Sequence, residues 1–267
     1  MKKAPIALRS VLRYIPHTHL TNRSVHMANR KPTGPPLPDD PAIDFRQSNN
    51  WRIFRIMAEL TEGWQFLADF KNTITFFGSA RVRKGNKWYD EARKLGCLLA
   101  KDGYHIVTGS GPGIMGAANR GAVDALKEAT ANGTADTVGR SIGLHIQLPN
   151  EQQKNKFVTH SRDFHYFFVR KVMLSYHGSA YIFFPGGYGT LDELFEILTL
   201  VQTKKMRRVP IILVGKEYWG PLFQWIEKES YRKLRGVDKE DLSIPSLVDT
   251  AEEAQELIKI KLNKTAS

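Results

Sequence analysis

The sequence predicts an α/β protein: a doubly wound parallel sheet with helices on both faces, built as a single domain. Three observations carry that reading. Short β-rich runs alternate with helical stretches from about residue 50 to the C-terminal region. Several of the runs are nearly continuous apolar stretches, as expected of strands covered by helices on both sides. Four of the strand ends are rich in glycine, and ligands in such folds bind beyond the carboxyl ends of the strands.

The elements follow in order. Asn49-Asn50 offers an N-cap, and Trp51, Phe54, Ile56, Met57, Leu60, Trp64 and Leu67 recur mostly at helical spacing. Strands are expected at Ile74–Phe77, His105–Thr108, Ser141–Leu144, Ala180–Phe184 and Pro210–Val214. Helices are expected near 87–101, 113–129, 164–177, 190–203, 217–229 and 249–262, and no internal repeat is seen.

The 267 residues suit one large α/β domain or two small ones, and 42% hydrophobic with 25% charged residues is ordinary globular usage. A single cysteine, Cys97, excludes an internal disulfide framework and Cys-rich zinc sites. No run of about 18 apolar residues occurs, so no membrane-spanning helix and no membrane partner are expected. A cytoplasmic location fits.

Residues 1–41 read as a basic, proline-rich, disordered leader, and residues 42–267 as the folded body. Seven of the thirteen prolines fall in the leader, where they interrupt any helix. The formal charge is +12, but seven basic residues and no acidic one lie within residues 1–38, leaving only +5 on the body. Nucleic acid is therefore not an expected partner of the body. A basic, acid-free leader also fits an organelle transit peptide or a nucleic-acid-binding tail.

Chemistry concentrates at the glycine-rich turns. Pro185-Gly186-Gly187-Tyr188-Gly189-Thr190-Leu191-Asp192-Glu193 follows an apolar strand and opens a helix whose buried face would carry Leu191, Leu194, Phe195, Leu198 and Val201. Glycines leave the amides of such a turn uncovered, and with the helix dipole they suit a phosphate. No Gly-Lys-Ser/Thr follows, so this is not a nucleoside-triphosphate loop. Thr190 and Glu193 have two readings. Ser/Thr-x-x-Glu is a capping box; alternatively, Thr190 donates to a bound phosphate and Glu193 projects into the same pocket. A carboxylate beside a phosphate makes sense where the ligand also develops positive charge, as a ribosyl ring does when its glycosidic bond breaks.

The turn Gly109-Ser110-Gly111-Pro112-Gly113-Ile114-Met115-Gly116 formally satisfies G-x-G-x-x-G, which raises an NAD(P)-dependent oxidoreductase. It follows the second strand of the body, however, and no acidic residue ends a strand about twenty positions on. Gly78 and Ser79 form another small-residue turn. Arg170 and Lys171 lie in an apolar helix, where cations usually snorkel to solvent, though Arg170 could reach the sheet edge and clamp a phosphate or ribose. The histidines, His145 among them, show no metal-ligand spacing and read as mostly structural.

Taken together, Gly78-Ser79-Ala80-Arg81, Gly111-Pro112-Gly113-Ile114-Met115, Gly143-Leu144-His145-Ile146-Gln147-Leu148-Pro149, Phe168-Val169-Arg170-Lys171 and the Pro185–Glu193 segment resemble the Lonely Guy (LOG) family of cytokinin riboside 5′-monophosphate phosphoribohydrolases, especially its longer bacterial-type members. The resemblance runs from about residue 70 to 230. It implies a Rossmann-like fold, a homodimer or higher homo-oligomer with sites near the interface, and hydrolysis of a nucleoside 5′-monophosphate (AMP or N6-prenyl-AMP) without cofactor or metal. It places the catalytic pair on Arg170 and Glu193 and phosphate binding on Gly186, Gly187, Gly189 and Thr190. Gly78, Ser79, Gly109, Gly111, Gly113, Met115 and Lys171 are the candidate substrate contacts. Two positions depart from the family pattern: Gly116 stands where many longer members have Glu, and Val169 where shorter members have Glu. Some relatives carry the label lysine decarboxylase, which no residue pattern here supports beyond a lysine and a phosphate loop. A non-catalytic nucleotide-binding protein of the same fold is the alternative.

Overall fold

The computed structural model describes residues 49–147 and 153–266. The leader, residues 1–41, lies outside the described residues, as do Leu148 and Pro149 of the third strand's motif.

Helix α1 (Asn49–Ala68) precedes β1 (Thr73–Phe77), α2 (Lys87–Lys101), β2 (His105–Thr108), α3 (Ile114–Ala131) and β3 (Ser141–Ile146). Then come β4 (His160–Phe164), α4 (Phe167–Tyr176), β5 (Gly178–Phe183), α5 (Tyr188–Gln202), β6 (Ile211–Val214), α6 (Lys216–Trp225), β7 (Pro245–Val248) and α7 (Ala251–Ala266). All seven strands are parallel, in the order β4-β3-β2-β1-β5-β6-β7. The winding direction reverses between β1 and β5, the crevice where a doubly wound sheet receives its ligand.

Side chains on β1 and β5 alternate between two cores, because successive strand residues face opposite sides. Ile74, Phe76, Ala180, Ile182 and Phe184 pack with α2, α3 and α7. Phe77, Tyr181 and Phe183 pack with α1, α4, α5 and α6. Across the central pair, Phe76 stacks on Phe184 with centroids 6.4 Å apart, and Phe77 on Phe183 at 4.8 Å.

The structure adds two strands to the five expected, β4 and β7, and both are sheet edges. β4 is His-Ser-Arg-Asp-Phe with only Phe164 buried, and β7 begins with proline. Edge strands carry such residues because one side makes no ladder bonds. Helix α4 starts three residues later than expected, since Phe164 completes the β3–β4 pairing. Its start is fixed from far away: Glu59 of α1 accepts the amides of His165 and Tyr166, both at 3.1 Å. On α1, Asn49 and Asn50 lie within the helix. The helix expected at 217–229 ends as α6 and continues as a π-helical stretch, Ile226–Lys233.

Helices α2 and α3 cross closely. A Cβ on Gly121 would sit 2.0 Å from the Arg93 carbonyl oxygen and 2.6 Å from the Cys97 amide nitrogen. Backbone cannot yield as a flexible side chain does, so Gly121→Ala should cost about 3 kcal/mol. For a chain of this size that lowers Tm by roughly 6 °C or more in a calorimetric scan. A shift under about 2 °C would contradict the close crossing.

Candidate active site at the β1/β5 crevice

A cavity of about 920 Å³ opens at the carboxyl ends of the strands. The ends of β1 and β5 are stitched beyond the sheet by Phe184 N–H to Phe77 O (2.9 Å) and Ser79 N–H to Pro185 O (3.0 Å). The Ile114 amide then donates to Ser79 O at 3.1 Å, tying the start of α3 to the same turn. Gly113 makes this possible: its φ is +69°, and a Cβ there would lie 2.2 Å from Ser79 O. Its glycine serves the turn, and Gly113 is not among the residues lining the cavity.

Gly78, Ser79, Gly109, Gly111 and Met115 do line it. Gly109 keeps clear of Arg170, since a Cβ would stand 2.0 Å from Arg170 Nη2. The turn after β2 is held by a polar network that sequence reading did not suggest. Asn155 donates Nδ2 to Gly111 O and to Asn119 Oδ1, both at 3.0 Å, and its amide donates to Ser110 O at 2.8 Å. Asn119 in turn accepts from Thr108 Oγ1 at 2.6 Å and donates to Ser141 Oγ at 2.8 Å.

Helix α5 begins at Tyr188, with Gly187 at the N-cap position and no side chain capping it. Thr190 is therefore the third helical residue, and no Thr190–Glu193 capping box forms. Instead Thr190 folds back over Gly186, its Oγ1 lying 2.1 Å from where a Gly186 Cβ would be. The first-turn amides of α5 have no intrahelical partner, as at any helix start, and no side chain among the described residues caps them. Gly187 and Gly189 have neither positive φ nor a crowding neighbour, for a Cβ on either meets nothing within 4 Å. Gly189 even weakens the first turn, by about 1 kcal/mol relative to alanine. What the two glycines preserve is open approach to those amides. All four candidates of this loop, Gly186, Gly187, Gly189 and Thr190, line the cavity.

Glu193 lies on the inward stripe of α5 with Thr190, Leu194, Ile197 and Val201. Phe195, expected on that stripe, is 41% exposed, and Ile197 takes its place. Towards the core the stripe meets aliphatic side chains; towards the helix start it meets the cavity. Glu193 is only 7% exposed, and its Oε2 has no hydrogen-bond partner among the described residues. Burial pushes its carboxyl up from 4.5 to about 7, opposed by the charges of Lys171 and Arg170. A buried carboxyl with an unsatisfied oxygen is costly, and such a group at the wall of a crevice is a functional-site candidate.

Arg170 reaches the crevice from α4. Its Nε donates to Leu144 O (2.8 Å) and its Nη2 to Gly109 O (3.1 Å), bridging the ends of β3 and β2. Burial lowers its pKa while Glu193 raises it. Three of its five N–H donors remain beyond those two bonds. Lys171, also a candidate contact, is not among the lining residues. Its Nζ pairs with Asp192 (2.7 Å) and Glu196 (3.3 Å). Val169 is fully buried in the core, away from the cavity. The walls also include Arg81, His145, Phe167, Leu174 and Tyr218. Tyr218 donates its hydroxyl to Gly186 O, bracing the glycine loop from α6. Only the strand-end positions of Arg81 and His145 were signalled in the sequence.

Among the described residues no helix is long and apolar enough to cross a membrane. Comparison with known proteins adds four findings. The profile of the family described as "Possible lysine decarboxylase" matches residues 115–258. A cytokinin riboside 5′-monophosphate phosphoribohydrolase of Rhodococcoides fascians is 27% identical over 159 residues, covering 58% of this chain and 74% of the relative. The enzyme of the same name LOG1 of Arabidopsis thaliana is 32% identical over 165 residues, covering 60% of this chain and 70% of the relative. Among solved structures, the molybdenum cofactor carrier protein of Chlamydomonas reinhardtii superposes with a TM-score of 0.52 at 17% identity, covering 72% of this chain and 99% of the carrier, a likeness of fold. The matched family profile spans more than half of the chain and overlies the glycine loop, Arg170 and Glu193; the chain belongs to the Lonely Guy family, the group that this profile describes as possible lysine decarboxylases.

Proposed function

We propose that this protein hydrolyses the N-glycosidic bond of a nucleoside 5′-monophosphate, AMP or N6-prenyl-AMP, releasing the free base and ribose 5-phosphate. The observation that carries the proposal is Glu193: a buried carboxyl whose Oε2 has no hydrogen-bond partner among the described residues, on the wall of the crevice, one turn beyond uncapped helix amides. The 5′-phosphate sits on the amides of Gly187, Gly189 and Thr190, where the helix dipole and open N–H groups favour an anion. Anchoring there fixes the ribose, so binding energy from the phosphate positions C1′ for attack. As the C1′–N bond breaks, the electron pair leaves with the base, which takes up a proton, and positive charge spreads over the ribosyl ring. The Glu193 carboxylate stabilises that charge and accepts a proton from the attacking water, whose oxygen bonds to C1′. Arg170, fixed at the ends of β2 and β3, holds the sugar hydroxyls.

The name of the family profile does not extend to this site. A pyridoxal-phosphate enzyme needs a lysine that can lose its proton. Burial works against the Lys171 ammonium, but its bonds to Asp192 and Glu196 outweigh that and its pKa is raised. No lysine is found among the described lining residues.

The second copy of the chain, in this reading, covers the α4 face. Phe167 and Phe168 are 53% and 51% exposed, Tyr176 is 70% exposed beside Trp64, and Phe167 also lines the cavity. Exposed aromatic clusters of this kind are removed from water by association. The protein works in the cytoplasm, with the nucleotide as its small-molecule partner.

Incubation with AMP and chromatography tests the proposal: adenine and ribose 5-phosphate should appear in equal amounts. AMP left intact would leave a nucleotide-binding protein; adenosine with inorganic phosphate would mean a different reaction. The pH dependence adds a check. Only ionised Glu193 serves, so kcat/KM should rise through about pH 7, superimposed on the substrate phosphate's own ionisation near about pH 6. A profile flat between about pH 5 and 8 would contradict the carboxylate's role.

A further inference from the structure

The cavity runs along four strand ends, and its two extremities differ. The glycine loop follows β5; His145 stands near the end of β3, on the opposite side of β1 and β2. Three strand spacings separate β5 from β3, about 14 Å. In the proposed reading, ribose 5-phosphate anchored on the glycine loop lies over the β1 end and reaches towards Arg170, which Gly109 O holds at the edge of β2. The remaining stretch is reached only by the base of an intact nucleotide.

What lies there is built for a flat polar group. Met115 and the bare backbone of Gly109 and Gly111 form one wall; Cβ atoms on those glycines would strike Met115 at 3.1 and 2.5 Å. His145 is half-buried, and its backbone pairs in register with Asp163 of β4, whose carboxylate is engaged by Lys154. His145 is the one imidazole among the described lining residues, and the hydrogen bonds of Arg170 run to Leu144 O and Gly109 O instead.

From this geometry we infer that His145 is the specificity-determining contact to the base: its imidazole hydrogen-bonds the polar edge of a purine that is too distant for a pyrimidine to reach. Burial lowers the pKa of His145, with Lys154 and Arg170 adding to the effect and Asp163 opposing it. The ring is thus held neutral at pH 7, presenting one donor and one acceptor. It reads the base and does not protonate it. The inference rests on the proposed nucleotide reading of the cavity and deepens it.

Equilibrium binding tests it separately from turnover. Calorimetry with AMP, CMP and ribose 5-phosphate is performed on Glu193→Gln protein, with and without His145→Leu. One hydrogen bond lost at a buried base edge corresponds to about tenfold weaker AMP binding. CMP and ribose 5-phosphate should bind within about twofold of the Glu193→Gln parent, which also shows the fold intact. His145→Asn, still able to hydrogen-bond, should recover part of the AMP affinity. Equal weakening of all three ligands, or unchanged AMP affinity, would overturn the inference while leaving the hydrolase proposal standing. Failure of AMP and ribose 5-phosphate alike to bind the Glu193→Gln parent would overturn both.

Discussion

Replacing Glu193 with glutamine should lower kcat for base release by about a thousandfold while leaving AMP affinity within about threefold, a loss of the size seen when one preorganised electrostatic partner of a transition state is removed. Glutamine has nearly the shape of the acid but no charge to offer a ribosyl cation and no site to take a proton from water. The substitution removes an interaction made in the transition state, which is why kcat falls and binding does not. It should also change stability in the opposite direction. Glu193 is pushed up to about 7 in the folded protein, above its ordinary 4.5. An acid raised in this way contributes stability that is complete below 4.5 and is lost as pH rises through about 7, because the fold then holds a buried carboxylate. Glutamine keeps the neutral form at every pH. Above about pH 8 the variant should therefore be more stable by about 3 kcal/mol, or roughly 6 °C in Tm, and at about pH 4 the two proteins should melt together. A variant that is less active and more stable is the signature of a residue kept for function. Equal kcat, or a destabilised variant at alkaline pH, would remove Glu193 from the mechanism.

The second large effect concerns the substrate. Adenosine should be cleaved with kcat/KM at least about a thousandfold below that of AMP. Two or three charge-assisted hydrogen bonds from the α5 amides and Thr190, each worth about 1.5–3 kcal/mol, account for a loss of that order. Much of it should appear in kcat, since the phosphate anchors the sugar that reacts. Comparable rates for AMP and adenosine in a base-release assay would mean that the glycine loop does not seat the phosphate.

Much of the scaffold was legible in the chain. α2 and β2 fall at the expected bounds: the apolar residues of α2 face one core and Asn86 caps it by accepting from the Trp88 amide at 2.9 Å, while Ile106 and Val107 make β2 an apolar run buried on both faces. The two missed strands are edges, whose polar residues satisfy solvent on one side and so carry no apolar alternation. The start of α4 depends on Glu59, more than a hundred residues earlier, and no local pattern can show a cap supplied from another helix.

The site was legible in the same uneven way. Glycines, Arg170 and Glu193 were visible as a pattern, yet the choice between capping box and open phosphate turn needed the helix start. Because α5 begins at Tyr188 with Gly187 as its N-cap, Thr190 lies three positions past the cap, and no Thr190–Glu193 capping box forms. Arg170 and Lys171 were both site candidates in the sequence, Arg170 as the catalytic cation and Lys171 as a substrate contact. Their neighbours separate them: backbone carbonyls hold Arg170 at the crevice, and two carboxylates of α5 draw Lys171 away. Arg81, His145 and Tyr218 come to the cavity by strand order and loop path, which single-residue spacing does not encode.

A crystal structure of Glu193→Gln protein with AMP bound would test the account at its centre. The expected electron density places the phosphate on the amides of residues 187–190, with C1′ facing the side chain at position 193. A phosphate seated elsewhere, or a side chain at 193 turned away from an intact glycosidic bond, would contradict it.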